Sequence, residues 1–75
     1  MPYYNYHAIA KKMIENNHLI AVTIFPEYKN IRPAMVLYFD NHRPIPIREY
    51  MWDDYLDKIH NKKIEIINEH NIPLK

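Results

Sequence analysis

The sequence predicts an α+β domain with the element order α-β-β-β-α: a three-stranded antiparallel meander with two helices on one face. Two segments with apolar residues at helical spacing lie near the ends of the chain, and three short apolar segments separated by Pro and Asn lie between them. Seventy-five residues make a single domain, 1–75, with 1–4 and 72–75 expected to fray. A domain of this size buries only about 60% of its unfolded surface, so its core is small.

The first helix is predicted to begin after Asn5, a typical N-cap residue. It is predicted to end at Asn16-Asn17, where asparagine takes the place of a C-cap glycine. The residues expected to share its buried face are spaced at i, i+3, i+4 and i+7, namely Tyr6, Ile9, Ala10, Met13 and Asn17.

The strongest strand pattern covers residues 18–25, ends at Pro26 and is apolar on both faces. Two helices cover only one face of a three-stranded sheet, so one face of this strand is expected to be left open for a dimer or a partner. A polar loop follows over residues 26–33. The two alternative faces are Leu19, Ala21, Thr23 and Phe25 on one side, and Ile20, Val22 and Ile24 on the other.

The second strand is predicted over residues 34–39. A turn is predicted at 40–43, where Asp and Asn form side-chain hydrogen bonds to the backbone and tolerate the left-handed conformation that glycine usually adopts. In the third strand, predicted over residues 44–47, Pro44 and Pro46 have no N–H group. The N–H groups of residues i and i+2 in a strand point to the same edge, so both missing donors belong to one edge. This pattern predicts a short edge strand whose outer side cannot pair further. The free edge of the meander is then expected to belong to the first strand.

The second helix is predicted to start at residues 48–50 and to continue through 61–71, kinked near His60-Asn61 and ended by Pro73. Residues 63–67 also fit an alternating strand, which remains an alternative. The residues expected to be largely buried in the whole domain are Ile9, Met13, Ile20, Val22, Leu37, Phe39, Trp52, Leu56 and Ile59.

The composition excludes whole classes of chemistry, because the chain has no Gly, Ser, Cys or Gln. Glycine-rich phosphate loops, acyl-transfer nucleophiles of the Ser or Cys type and thiolate metal sites are therefore impossible. The five histidines show no established ligand spacing, so no metal and no cofactor is expected. The acidic set Glu49, Asp53, Asp54 and Asp57 is interpreted as a solvated helix face, so the sequence favours a protein that is not an enzyme.

The order α-β-β-β-α resembles that of double-stranded-RNA-binding domains and of small ribonuclease toxins built on the same plan. Those toxins carry a Gly-Ser-His type motif on a strand, and this chain has neither Gly nor Ser. The resemblance therefore implies, at most, a metal-independent ribonuclease with His42 or His18 as general base. Element order alone does not assign a function.

A basic and aromatic set lies in the connections around the second and third strands. Arg and Lys with an aromatic side chain suit phosphate contact and base stacking, although ordinary solvated loops have the same composition. The loop at 26–33 and the turn at 40–43 are expected at opposite ends of the sheet, roughly 20 Å apart, with Arg48 returning towards the first group. The set is Tyr28, Lys29, Arg32, His42, Arg43 and Arg48.

The leading functional hypothesis is a non-enzymatic module that binds another, unidentified protein and forms a homodimer. Hydrophobic residues make up 48% of the chain, more than one small core needs, and its seven tyrosines suit protein contact. The alternative is an RNA- or DNA-binding domain. The sequence contains no apolar run of about 20 residues, the length that a membrane-spanning helix needs, so a cytoplasmic location is expected. Ile, Asn, Lys and Tyr supply 34 of 75 residues, typical of AT-rich coding in a bacterium or phage.

Overall fold

The computed structural model describes residues 6–74 and confirms the α+β class and the order α-β-β-β-α, to which it adds a fourth strand. The second strand lies where it was predicted, and the third begins one residue later than predicted. Asn5 and the rest of residues 1–5 lie outside the described residues. The elements are α1 (Tyr6–Glu15), β1 (Leu19–Phe25), β2 (Ala34–Phe39), β3 (Ile45–Arg48), a 3-10 turn (Glu49–Met51), α2 (Asp53–Asn61) and β4 (Ile66–Ile67).

Both helices end in the same way, without glycine. Asn17 has a φ of 68°, its N–H donates to the Ile14 carbonyl, and the His18 N–H donates to the Met13 carbonyl. These two bonds form a Schellman motif, which confirms the predicted end of α1. At the end of α2, Lys63 has a φ of 60° and the same pair of bonds follows, from Lys63 to His60 and from Ile64 to Ile59.

The sheet has four strands in the order β3-β2-β1-β4. β2 pairs antiparallel with β1 and with β3, so the predicted meander is present. β4 pairs parallel with β1, matching Val22 with Ile66 and Thr23 with Ile67. The prediction of helix over 61–71 is therefore wrong, and the alternative of a strand within 63–67 is closer. β4 also occupies the edge of β1 that was expected to be free.

The core lies between one face of the sheet and the two helices. α1 contributes Ala10 and Ile14, while α2 and the residue before it contribute Trp52, Tyr55, Leu56 and Ile59. The Trp52 indole N–H donates to the Ile47 carbonyl at 2.8 Å, which fixes the start of α2 against the end of β3. The sheet residues in the core are Leu19, Val22, Ile24, Met35, Leu37, Phe39, Ile45 and Ile47.

Two residues predicted to be buried are exposed. Ile9 is 37% exposed and Ile20 is 62% exposed. Ile20 is displaced by a β-bulge: Leu19 pairs with Phe39 and Ala21 with Tyr38, so Ile20 is an extra residue in β1. A bulge breaks the alternation of faces, and it places Leu19 with Val22 and Ile24 on the core side.

The buried stripe of α1 is rotated from the predicted one. Tyr6, Ile9 and Asn17 are exposed and Met13 is half-buried, whereas Ile14, which the predicted stripe omitted, is 1% exposed. The remaining side of α1 faces α2 with a polar row at i, i+4 and i+8. In that row His7 contacts Tyr55, Lys11 lies 3.6 Å from Asp54, and Glu15 lies 3.5 Å from Lys58.

Candidate functional site

A groove of about 410 Å³ runs along the outer side of β3. Its floor is apolar, and its far wall is formed by the start of α1 and the 3-10 turn before α2. The connection into β2 closes one end through Ile31. The residues that line it are Tyr6, His7, Ile31, His42, Arg43, Pro44, Ile45, Pro46, Ile47, Arg48, Tyr50 and Met51.

The groove brings together three of the six predicted contact residues: His42, Arg43 and Arg48. Arg43 lies before β3 and Arg48 is its last residue, so about 15 Å of extended chain separates the two cations. Both are exposed, and no carboxylate within residues 6–74 forms an ion pair with either. The His42 Nδ1 donates to the Arg43 carbonyl at 2.9 Å, which leaves Nε2 directed away from that bond.

Arg32 lines a second pocket of about 380 Å³ that adjoins the first. Ile31, Arg48 and Tyr50 line both pockets, so the two form one continuous surface. The Arg32 guanidinium lies 3.0 Å from the Glu27 carboxylate, which offsets its charge. The groove itself therefore depends on Arg43 and Arg48 for its positive charge.

Tyr28 and Lys29 lie outside both pockets. Tyr28 and Ile31 pair across a two-residue turn in which Lys29 and Asn30 both have positive φ. The Tyr28 ring stacks on Phe25 with 5.8 Å between ring centroids, and the Lys29 ammonium lies 5.6 Å from the Tyr28 ring. These contacts explain the Tyr-Lys pair as packing at the end of β1.

The backbone of β3 limits what can bind beside it. Pro46 lies opposite Val36 in the register, and Pro44 comes immediately before the strand. Because Pro46 has no N–H, complete pairing with β2 uses the N–H groups of Ile45 and Ile47, and the prolines then face outward. The open edge offers carbonyl oxygens without donors at these positions, as predicted for an edge strand, so it is a poor template for an added strand.

His7, in the wall of the groove, is held by the core. Its Nδ1 lies 2.7 Å from the hydroxyl of Tyr55, whose side chain is fully buried. Burial raises the pKa of the Tyr55 hydroxyl to about 12, and the neighbouring Asp54 carboxylate acts in the same direction. The hydroxyl therefore stays protonated near neutral pH and can donate to Nδ1, in which case the His7 ring carries its proton on Nε2.

The face of the sheet opposite the helices forms a second surface, here called the open face: Ile20, Ala21, Thr23, Phe25, Tyr38 and Ile67. Ala34 and Val36 of β2 lie on the same face but are already buried. Ile67 follows Ile66, which packs against the core, and is itself 43% exposed. The open face thus carries part of the first predicted alternative, Ala21, Thr23 and Phe25, together with Ile20, which the bulge adds.

Sequence reasoning missed Tyr6, His7 and Tyr50, which supply aromatic or polar side chains to the groove. Tyr50 is 78% exposed and was treated only as part of a helix start, while Tyr6 was assigned to the core and is 58% exposed. His7 had no ligand spacing to mark it. The available signal was the Arg-Glu-Tyr sequence directly after a proline-containing strand, because a chain leaving an edge strand displays its next side chains beside that edge.

No group of three His, Cys, Asp or Glu side chains within residues 6–74 is placed to hold a metal ion. His18 forms a half-exposed pair with Asp40 at 2.9 Å, which joins the start of β1 to the end of β2. No helix in the described part of the chain is long and apolar enough to cross a membrane. No protein-family model, curated protein or solved structure matches the chain.

Proposed function

We propose that this chain is a cytoplasmic, non-enzymatic interaction module that acts by protein–protein binding as a homodimer, with the open face as its subunit interface. The observation that carries the proposal is the exposure of Ile20 and Ile67, two large aliphatic side chains on a sheet face that neither helix covers. Exposed apolar patches of this kind are typical of protein interfaces.

The open face suits contact with a second copy of itself. None of its six members is charged, so two copies can meet through them without like-charge repulsion, with Arg48, which is opposite Ala34 on the β3 side of the same face, left at the rim. An isologous interface buries each residue twice, once in each subunit. The rings of Phe25 and Tyr38 lie on the same face and add the rigid aromatic area that protein interfaces favour.

The expected gain is large enough to support association. Burying a side chain of isoleucine size from full exposure is worth about 1.5–3 kcal/mol. Ile20 and Ile67 are about half exposed, so burying each copy contributes roughly half of this free energy. A dimer buries four such side chains, and the partly exposed rings of Phe25 and Tyr38 add to the total. Ala34 and Val36 contribute nothing further because they are already buried.

Light scattering after size exclusion tests the proposal at micromolar concentration. We expect about twice the chain mass of 9.2 kDa, with little change between low and high salt, because the interface is apolar. Ile20→Lys places a charge in the interface and should give a monomer that remains folded by circular dichroism.

Ile9→Lys is the matched control, since Ile9 is also a partly exposed isoleucine but lies on α1. It should leave the dimer intact. A wild-type protein that is monomeric at these concentrations contradicts the proposal. Equal dissociation by both variants contradicts it as well, because the association would then not depend on the open face.

A further inference from the structure

The groove along β3 has no role in the proposed dimer, and its chemistry points to a separate ligand. We propose that it binds a single-stranded segment of nucleic acid, with Arg43 and Arg48 on phosphates and Tyr50 stacked on a base. Pro46 and Arg48 are in register with Val36 and Ala34, so the groove adjoins the β3 side of the open face. None of the six open-face residues lines the groove, so this inference does not depend on the homodimer.

Charge complementarity is the first argument. Arg43 and Arg48 stand at the two ends of one apolar floor, and neither has a carboxylate partner within residues 6–74. Arginine is the side chain best suited to phosphate oxygens, because its planar fork donates two parallel hydrogen bonds. The chain carries a net charge of only +1, so this local pair is not part of a generally basic surface.

The aromatic side chains give the second argument. Tyr50 is 78% exposed at the point where the two pockets meet, and Tyr6, at the start of α1 in the same wall, is 58% exposed. Every base has a flat face that can stack on such a ring, so the arrangement of cations around exposed rings is typical of sites for unpaired strands. The apolar floor of Ile45, Ile47 and Met51 suits the flat faces of bases, since base edges are polar.

The backbone of β3 argues against the main competing ligand, an acidic peptide. Peptides that bind beside a sheet edge commonly add a strand, which requires the edge to supply alternating donors and acceptors. Pro44 and Pro46 remove two consecutive donors from this edge. A nucleic acid needs no main-chain pairing, because side-chain cations and rings supply its contacts.

Fluorescence anisotropy with labelled oligothymidine and oligouridine of about 12 nucleotides tests the proposal at low salt. Arg43→Ala and Arg48→Ala should each weaken binding and lower the slope of log affinity against log salt by about one. Lys12→Ala is the matched control, because it removes one exposed cation from α1, away from the groove. Its affinity should stay within about twofold of the wild type.

Tyr50 gives a readout that charge alone does not move. Tyr50→Ala should weaken binding about tenfold, whereas Tyr50→Phe, which keeps the ring, should bind like the wild type. Because Tyr50 is so exposed, neither variant should change the melting temperature by more than a few degrees.

Three results overturn the proposal. The first is the absence of binding to either oligonucleotide at low salt. The second is equal weakening by Lys12→Ala and Arg43→Ala, which indicates unspecific attraction. The third is tighter binding of a labelled peptide of about 12 Asp and Glu residues than of the oligonucleotides, which assigns the groove to a protein ligand instead.

Discussion

The Nδ1 atom of His7 lies 2.7 Å from the hydroxyl oxygen of Tyr55, across the interface between α1 and α2. The two rings are tilted against each other with 5.8 Å between their centroids, and the Lys11 ammonium lies 5.6 Å from the Tyr55 ring. Tyr55 is fully buried, while His7 lines the groove. This single hydrogen bond therefore connects the wall of the candidate site to the core.

The hydroxyl of Tyr55 makes stability depend on alkaline pH. Its pKa is about 12 in the folded chain against 10.0 normally, so the folded state holds this proton more tightly than the unfolded state. Its stabilising contribution is complete below about pH 10 and is lost as the pH rises from 10 towards 12. We expect the free energy of unfolding in urea to fall over this interval more steeply for the wild type than for Tyr55→Phe.

Below pH 9, Tyr55→Phe should be about 1 kcal/mol less stable than the wild type, because a buried hydrogen bond is lost. Tyr50→Phe controls for the general titration of tyrosines, since Tyr50 is exposed. It should keep the wild-type pH dependence. Parallel alkaline curves for the wild type and Tyr55→Phe are the result that would refute this account.

The rotation of α1 shows where reasoning from apolar spacing fails. The stripe through Tyr6, Ile9 and Met13 has the right period, but helix packing also uses the polar row of His7, Lys11 and Glu15. Because this polar row faces α2, α1 is rotated about its axis and Ile9 lies outside the core. The rotation depends on the residues of α2 that contact the row, and the sequence alone does not identify them.

The phase of α1 can be measured by truncating two isoleucines on the same helix. Ile14→Ala should lower the free energy of unfolding by about 2–5 kcal/mol, because Ile14 is 1% exposed in the core. In a domain of this size, that loss is enough to leave a large fraction of the molecules unfolded. Ile9→Ala should cost less than about 1 kcal/mol. Chemical denaturation of both variants checks the difference, and a larger loss for Ile9→Ala would restore the phase predicted from the sequence.

The fourth strand was hidden by the residue that ends α2. Lys63 has a φ of 60°, a conformation usually left to glycine or asparagine, so the sequence contains no visible stop before residues 64–67. Exposure then alternates from Lys63 to Ile67, as in a strand. β1 is apolar on both faces and lies in the middle of the sheet, and β4 pairs with its second edge at Val22 and Thr23.

The strained end of α2 predicts a stabilising substitution. Lys63→Gly removes the steric cost of a positive φ, and part of the gain is offset by the greater freedom of glycine in the unfolded chain. We expect a net gain of about 0.5 kcal/mol and a higher melting temperature. Lys63→Ala keeps the Cβ atom and removes the charge, so it should show no gain, and an equal gain in both variants would assign the effect to charge.

The candidate groove was predictable only in part. Arg43 and Arg48 could be placed on either side of a proline-containing edge strand from the sequence, because the turn and strand signals there are strong. Tyr6 and His7 join the groove through the packing of α1 against α2, over a separation of about 40 residues that no local pattern encodes. Tyr28 and Lys29 share the composition of the site but are used in packing.

The prolines of β3 predict how the chain avoids association through its sheet edge. Pro46 lies on β3, the outermost strand, opposite Val36 of β2. Pro44 is the residue directly before β3. Replacing Pro44 with Thr and Pro46 with Val restores two N–H donors on a strand that otherwise keeps its side-chain pattern, so we expect a folded protein that forms larger species as its concentration rises. Sedimentation velocity over a concentration series measures this.

Pro26→Thr is the control, because Pro26 ends β1 away from this edge, and it should sediment like the wild type. A double variant that stays folded at the wild-type size at high concentration would show that the prolines do not protect the edge.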